Sequence, residues 1–198
     1  GIETKASLDN EHWSINGVKS FVLNGDTADK VIVSARINGN INDQNGIGLF
    51  LINKDQIKIR SYNTIDGYRA GEIEFINSLG ELLARDEDAL KSIIKANSAG
   101  ALALSAEALG IMQVCFDMTL EYLKTRKQFG KTVGSFQAIQ HRMVDMMLEI
   151  EQVKSAVMLA SSTFQADENV RDKHISAAKN LVGRVGKLIA EETIQMHG

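Results

Sequence analysis

Near residue 80 the spacing of apolar residues changes from two to about three and a half, and few folds allow that switch. From Trp13 to about Asn77 the chain reads as short strands: WSINGVKSFV, KVIVSARI, IGLFLI, DQIKIRSY and GEIEFI. Proline is absent, so glycine, asparagine and aspartate alone must mark the turns. Asn16-Gly17 lies between two strand-like runs and predicts a type I′ hairpin, because both central residues of that turn need positive φ. A loop rich in Asn, Asp and Gly spans Asn38 to Gly46. Five or six strands at this spacing predict an antiparallel sheet or barrel.

After Leu83 the pattern is helical. Asp86, Glu87 and Asp88 suit the positive end of a helix dipole, and small or apolar residues follow at 94, 97, 101, 104, 108, 111, 115, 118 and 122, with Asn97 the one polar interruption. Unbroken to Lys127, such a helix would run about 60 Å. A second seam is cleaner: Phe136, Ile139, Met143, Met146, Ile150, Val153, Val157, Ala160 and Phe164 alternate spacings of three and four. A third, from about Asp172, uses Ile175, Ala178, Val182, Val185 and Ile189. The expectation is an α+β chain. A partial β-domain over 1–82 precedes a long-helix up-down bundle over 83–198, with three helices of an incomplete four-helix bundle.

Composition excludes several roles. A net charge of -3 and a pI near 5.8 provide no field for nucleic acid. Cys115 is the single cysteine, so neither a disulfide framework nor a thiol metal cluster is expected, and a reducing compartment, cytoplasmic or organelle matrix, fits. No run of about 18 apolar residues appears, so no membrane span is expected. His12, His141, His174 and His197 show no metal-ligand spacing and read as surface or satisfied histidines.

Between the first two helices lies TRKQFGKTVGSFQAIQHR, Thr125 to Arg142. Ordinary helix chemistry covers much of it. Lys124, Arg126 and Lys127 would offset the dipole in a last turn, Gly130 would be the left-handed residue beyond it, and Ser135 would cap the next helix. Gln128, Phe129, Gln137 and Gln140 are left over. A guanidinium, amide donors and a helix start at one corner suit a phosphate-bearing ligand.

At this corner the sequence resembles the acyl-CoA dehydrogenase family, whose last domain carries an R-x-x-F-G turn and then a helix starting F-Q-x-x-Q. Arg126, Phe129, Gly130, Phe136, Gln137 and Gln140 match. WSINGVKSFVLNGDTAD resembles the family's middle-domain strand signature, and IQMHG, Ile194 to Gly198, the first half of its Q-x-x-G-G segment. FVLNGDTAD, TRKQFG and FQAIQHRMVDM look most like small subunits of heteromeric members such as pimeloyl-CoA dehydrogenase.

The resemblance implies FAD-dependent α,β-dehydrogenation of an acyl-CoA thioester, in a fold of N-terminal helical domain, middle β-domain and C-terminal four-helix bundle, here as a fragment or reduced subunit. It implies that Arg126, Gln128, Phe129 and Gln137, with Gln195 and the backbone near Gly198, hold the adenosine-diphosphate part of a neighbouring subunit's FAD. It places Phe21 and Val22 against the flavin. It also implies same-family subunits, dimeric or tetrameric and possibly heteromeric, and electron-transfer flavoprotein or a similar acceptor.

Some family features are missing. Leu23 stands where Thr or Ser is frequent near the flavin, Gly100 aligns with the minority position of the catalytic glutamate, and Ala101 aligns with an arginine beside it. The reaction needs a carboxylate to remove the α-proton, and no residue of this chain is assigned to it. Two other expectations stand beside the dehydrogenase: a catalytically silent subunit that completes a partner's FAD site, and a cofactor-free oligomerisation scaffold.

Overall fold

The period-two segments become strands β1 (Lys5–Asp9), β2 (His12–Leu23), β3 (Lys30–Arg36), β4 (Ile47–Asn53), β5 (Ile57–Asn63) and β6 (Arg69–Arg85). The computed structural model describes all 198 residues, and the chain divides into two units, 1–94 and 95–198. In the first unit β2 pairs with β1 and β6, β1 with β3, β3 with β4, and β4 with β6, so the ladder closes on itself. The remaining strand, β5, lies along residues 69–75 of β6. All pairings are antiparallel except the single Lys5–Arg36 bridge of β1 to β3, which makes the sheet mixed. Alternation sends Ile15, Val33, Phe50, Ile52, Ile73 and Phe75 inward, each stabilising by about 1.5–3 kcal/mol, and Trp13 leans on Phe50 with ring centroids 5.3 Å apart. Buried Arg36 donates to the carbonyls of Asn45, Ile41 and Asp43 and so closes the following loop.

The expected hairpin at Asn16-Gly17 is not there. Both residues lie inside β2, and the chain reverses earlier, where Asp9 pairs with His12 and Asn10 takes a φ of 54°. The Asn16 side chain is spent across the sheet: the Asn77 amide donates to its Oδ1 (2.8 Å) and its Nδ2 donates to Asn77 Oδ1 (3.0 Å). Gly17 marks a bulge instead, with a register shift against β6 and a φ of 142°. Strand β1, KASLD, was not expected, since only Ala6 in it is buried and no alternation announces it. The last strand, β6, also continues to Arg85, past the boundary expected at 82.

Helices α1 (Asp86–Thr125), α2 (Gln137–Ser162) and α3 (Glu168–His197) follow. Asp86 Oδ1 accepts the Gly46 amide (3.0 Å), and Asp167 caps α3 through the amides of Asn169 and Val170. The seam of α2 is buried as its spacing predicts, from Met143 through Met146, Ile150, Val153 and Val157 to Ala160. It packs with Val185, Ile189 and Met196 of α3 and with Met112 and Leu123 of α1, and Cys115 lies half-buried against them.

The expected seam of α1 is only half right. Leu104, Ile111 and Met118 are 62%, 59% and 64% exposed, and Asn97 is exposed as well. The buried side lies one residue on, at Ser105, Met112 and Thr119. Alanine-rich sequence leaves both faces apolar, so period alone could not choose between them. The Ser105 and Thr119 hydroxyls donate to the carbonyls of Ala101 and Cys115, both at 2.7 Å, so they enter the core without an unpaired donor. By length and composition alone α1 is long and apolar enough to cross a bilayer. Here its Met112, Thr119 and Leu123 are buried within a helical bundle.

Two glycines separate backbone constraint from helix propensity. A Cβ on Gly17 would meet the Thr4 Cα at 2.8 Å, whereas one on Gly100 meets nothing within 4 Å. We expect Gly17→Ala to cost at least about 1 kcal/mol and Gly100→Ala to add about 0.5–1 kcal/mol, read from urea midpoints at constant slope.

Candidate functional site

The first helix ends where the Arg126 amide makes its last helical bond, to the Tyr122 carbonyl (2.9 Å). The chain then forms a two-residue ladder, β7 (Lys127–Gln128) against β8 (Lys131–Thr132). Phe129 and Gly130 turn it with φ of 54° and 79°, the two left-handed residues of a type I′ loop. Gly130 therefore serves a hairpin rather than the helix end, and Lys127 sits in β7 rather than in a last helical turn. The Val133 amide donates to the Arg126 carbonyl (2.8 Å) and closes the excursion.

Ser135 does not cap α2. Its hydroxyl donates to the Thr132 carbonyl (2.7 Å), and the cap position falls on Phe136, which offers no side-chain acceptor. The start of α2 is thus left open, with its dipole uncompensated by any capping side chain. Gln140 Nε2 donates to the Gly134 carbonyl (3.0 Å), so this glutamine shapes the turn. Behind it lies an open hollow of about 400 Å³, floored by Leu120, Leu123, Ile139 and Met143.

Arg126, Gln128 and Gln137 are exposed, and Arg126 has no carboxylate partner. Phe129 is 90% exposed and meets Phe136 edge-on, with centroids 6.3 Å apart. Lys131 Nζ stands 4.1 Å over the Phe136 ring. The end of α3 comes to the same place. Tyr122 donates its hydroxyl to the His197 carbonyl (3.2 Å), and the two rings stack at 4.5 Å. Gln195 and Gly198, both exposed, flank that contact. Six of the residues named from sequence, Arg126, Gln128, Phe129, Gln137, Gln195 and Gly198, thus belong to one end of the helical unit. Tyr122 and His197 were not among them: Tyr122 read as one more seam position and His197 as a satisfied histidine.

In the β unit the register against β6 slips between Lys19 and Val22. At that bulge Phe21 takes a φ of 56° and is 60% exposed, while Val22 packs on the core. Six non-glycine residues have positive φ: Asn10, Asn24, Asn77 and Asp86, whose side chains tolerate it, and Phe21 and Phe129, whose side chains do not.

Comparison with known proteins is consistent across both units. The acyl-CoA dehydrogenase C-terminal domain profile matches residues 90–198, and the middle domain profile matches 1–78. The chain belongs to the acyl-CoA dehydrogenase family. It is 30% identical over 207 residues to the probable acyl-CoA dehydrogenase YngJ of Bacillus subtilis, covering 100% of this chain and 54% of that protein. It is also 30% identical over 173 residues to the short-chain specific acyl-CoA dehydrogenase of Clostridium acetobutylicum, covering 83% of this chain and 45% of that one. The fold superposes on butyryl-CoA dehydrogenase from Megasphaera elsdenii with a TM-score of 0.91 at 24% identity, over 100% of this chain and 54% of that chain. The chain spans about half the length of the curated relatives it matches.

Within the helical unit, polar contacts tie the helices. The buried Arg171 guanidinium, then the Ser98 hydroxyl, donate to Asp172 and hold its carboxyl below the usual range; Arg184 does the same for Glu149. A depressed folded-state pKa gives stability that is complete above the unfolded value and is lost as pH falls through the folded one. We expect the melting temperature to drop below about pH 4 and Asp172→Asn to flatten that acid limb. An acid limb unchanged in the variant would exclude Asp172 as a contributor.

Proposed function

We propose that the chain holds FAD for an acyl-CoA dehydrogenase that takes hydrogen from the α and β carbons of an acyl-CoA thioester. The observation that carries this reading is the backbone at Phe21 and Phe129. Left-handed phenylalanine costs about 1–2 kcal/mol, and such strain clusters at ligand sites. Both rings are largely exposed, so the strain is not offset by burial within the chain.

The groups at the helical corner fit a dinucleotide. Unpaired Arg126 offers a planar fork for a pyrophosphate, and the uncapped start of α2 favours anions. Phe129 and Phe136 form an apolar wall, and the amides of Gln128, Gln137 and Gln195 are free to select a polar edge. Gly198 allows close backbone approach. A ring as exposed as Phe129 suits a cofactor shared with a neighbouring same-family subunit. In the β unit Phe21 would cover the flavin and Val22 anchors it to the core, while Leu23 leaves only backbone for hydrogen bonding. Bound FAD supplies the hydride acceptor.

No side chain is assigned as the base. Gly100 has none, and this favours a second reading, a silent subunit that completes a partner's site. Acyl-CoA as substrate, electron-transfer flavoprotein as acceptor and a cytoplasmic or matrix location belong to the same proposal.

Flavin absorbance of the purified assembled protein, followed by FAD titration, tests the reading. Arg126→Ala should weaken FAD by roughly 10- to 100-fold, the loss of a charged hydrogen-bonding group. Phe129→Asn should raise the melting temperature, because Asn-Gly prefers a type I′ loop, while weakening FAD. A variant that melts lower and binds FAD normally would make Phe129 structural.

A further inference from the structure

The segments at 126–129 and 195–198 lie far apart in sequence and converge through one side chain. Tyr122 occupies the last turn of α1, and its carbonyl accepts the amide of Arg126 (2.9 Å). Its hydroxyl donates to the carbonyl of His197 (3.2 Å), one of the orphan acceptors at the end of α3. Its ring stacks on the His197 imidazole, centroids 4.5 Å apart and planes within 28°. The imidazole is held from the other side, with Nδ1 at 2.8 Å from the Thr193 carbonyl. A carbonyl accepts only, so Nδ1 carries the proton.

We propose that Tyr122 is a positioning residue whose ring and hydroxyl latch the last turn of α3 to the last turn of α1, setting Gln195 and Gly198 in one frame with Arg126. The end of a helix frays unless its last carbonyls find partners. Unlatched, residues 195–198 would open independently of the Arg126 turn, and a dinucleotide held by both would have to order one of them on binding. The use of the latch for FAD rests on the function proposed above, whereas the latch itself is a property of the chain without ligand.

The test uses Tyr122→Phe, which keeps the ring and removes the hydroxyl, and Tyr122→Leu, which removes both. Without FAD, amide hydrogen exchange across 194–198 should quicken roughly threefold to tenfold in the first variant and further in the second, on the scale of one lost hydrogen bond. Exchange in the middle of α2 should stay unchanged, which shows that the bundle is intact. In the assembled protein FAD dissociation should rise several-fold in Tyr122→Phe. Unchanged exchange at 194–198 would overturn the latch. Faster exchange with unaltered FAD affinity would overturn its positioning role. Wild-type protein that takes up no FAD, together with the expected exchange pattern, would sink the function reading and leave the latch standing.

Discussion

The single buried stripe along α2 sets where every residue of the helical corner stands. Met146, Ile150, Val153 and Ala160 are shut from solvent, and their spacing of three and four admits one rotational setting of the helix. With that setting fixed, the Arg142–Glu192 ion pair (2.6 Å) and the pairing of Arg184 with Glu149 hold α3 alongside in register. The end of α3 then arrives beside the end of α1, where Tyr122 can reach it. Exposed ion pairs add little energy, so the apolar stripe carries most of the packing. The β unit has its own counterpart in β6, a 17-residue strand that pairs with β2, β4 and β5 and so ties most of the closed ladder together.

What could be read from the sequence follows from where each signal resides. The seams of α2 and α3 were legible because a wrong rotation would bury charge. That of α1 was not, since its alanines make Leu104 and Ser105 comparable neighbours and only the packed structure shows that the serine goes inside. Asn16-Gly17 carried the strongest local turn signal and still formed a bulge, because the bond pair from Asn16 to Asn77 is available only once β6 has paired. Most of the residues at the helical corner were named in advance through family resemblance. Spacing alone supported the cations and Gly130: Lys124 does lie in the last turn of α1, whereas Lys127 falls in β7 and the glycine turns a hairpin. Tyr122 escaped notice because a stacking and hydrogen-bonding partner 75 residues away leaves no periodic trace.

Helix α1 itself separates the proposed holding of a cofactor from proton removal. By the family resemblance the alternative base position would fall at Gly100, around which open space is found. Glu107 is the nearest carboxylate following it in α1, but seven residues of helix separate their Cα atoms by about 10 Å along the axis. Proton abstraction requires contact at hydrogen-bond distance, so Glu107 cannot reach a proton presented at Gly100 by any side-chain rotation. The groups proposed to hold FAD, an unpaired guanidinium, free amides, an uncapped helix start and two strained phenylalanines, suit binding rather than proton transfer. No carboxylate of these 198 residues is therefore assigned to proton removal in the proposed reaction.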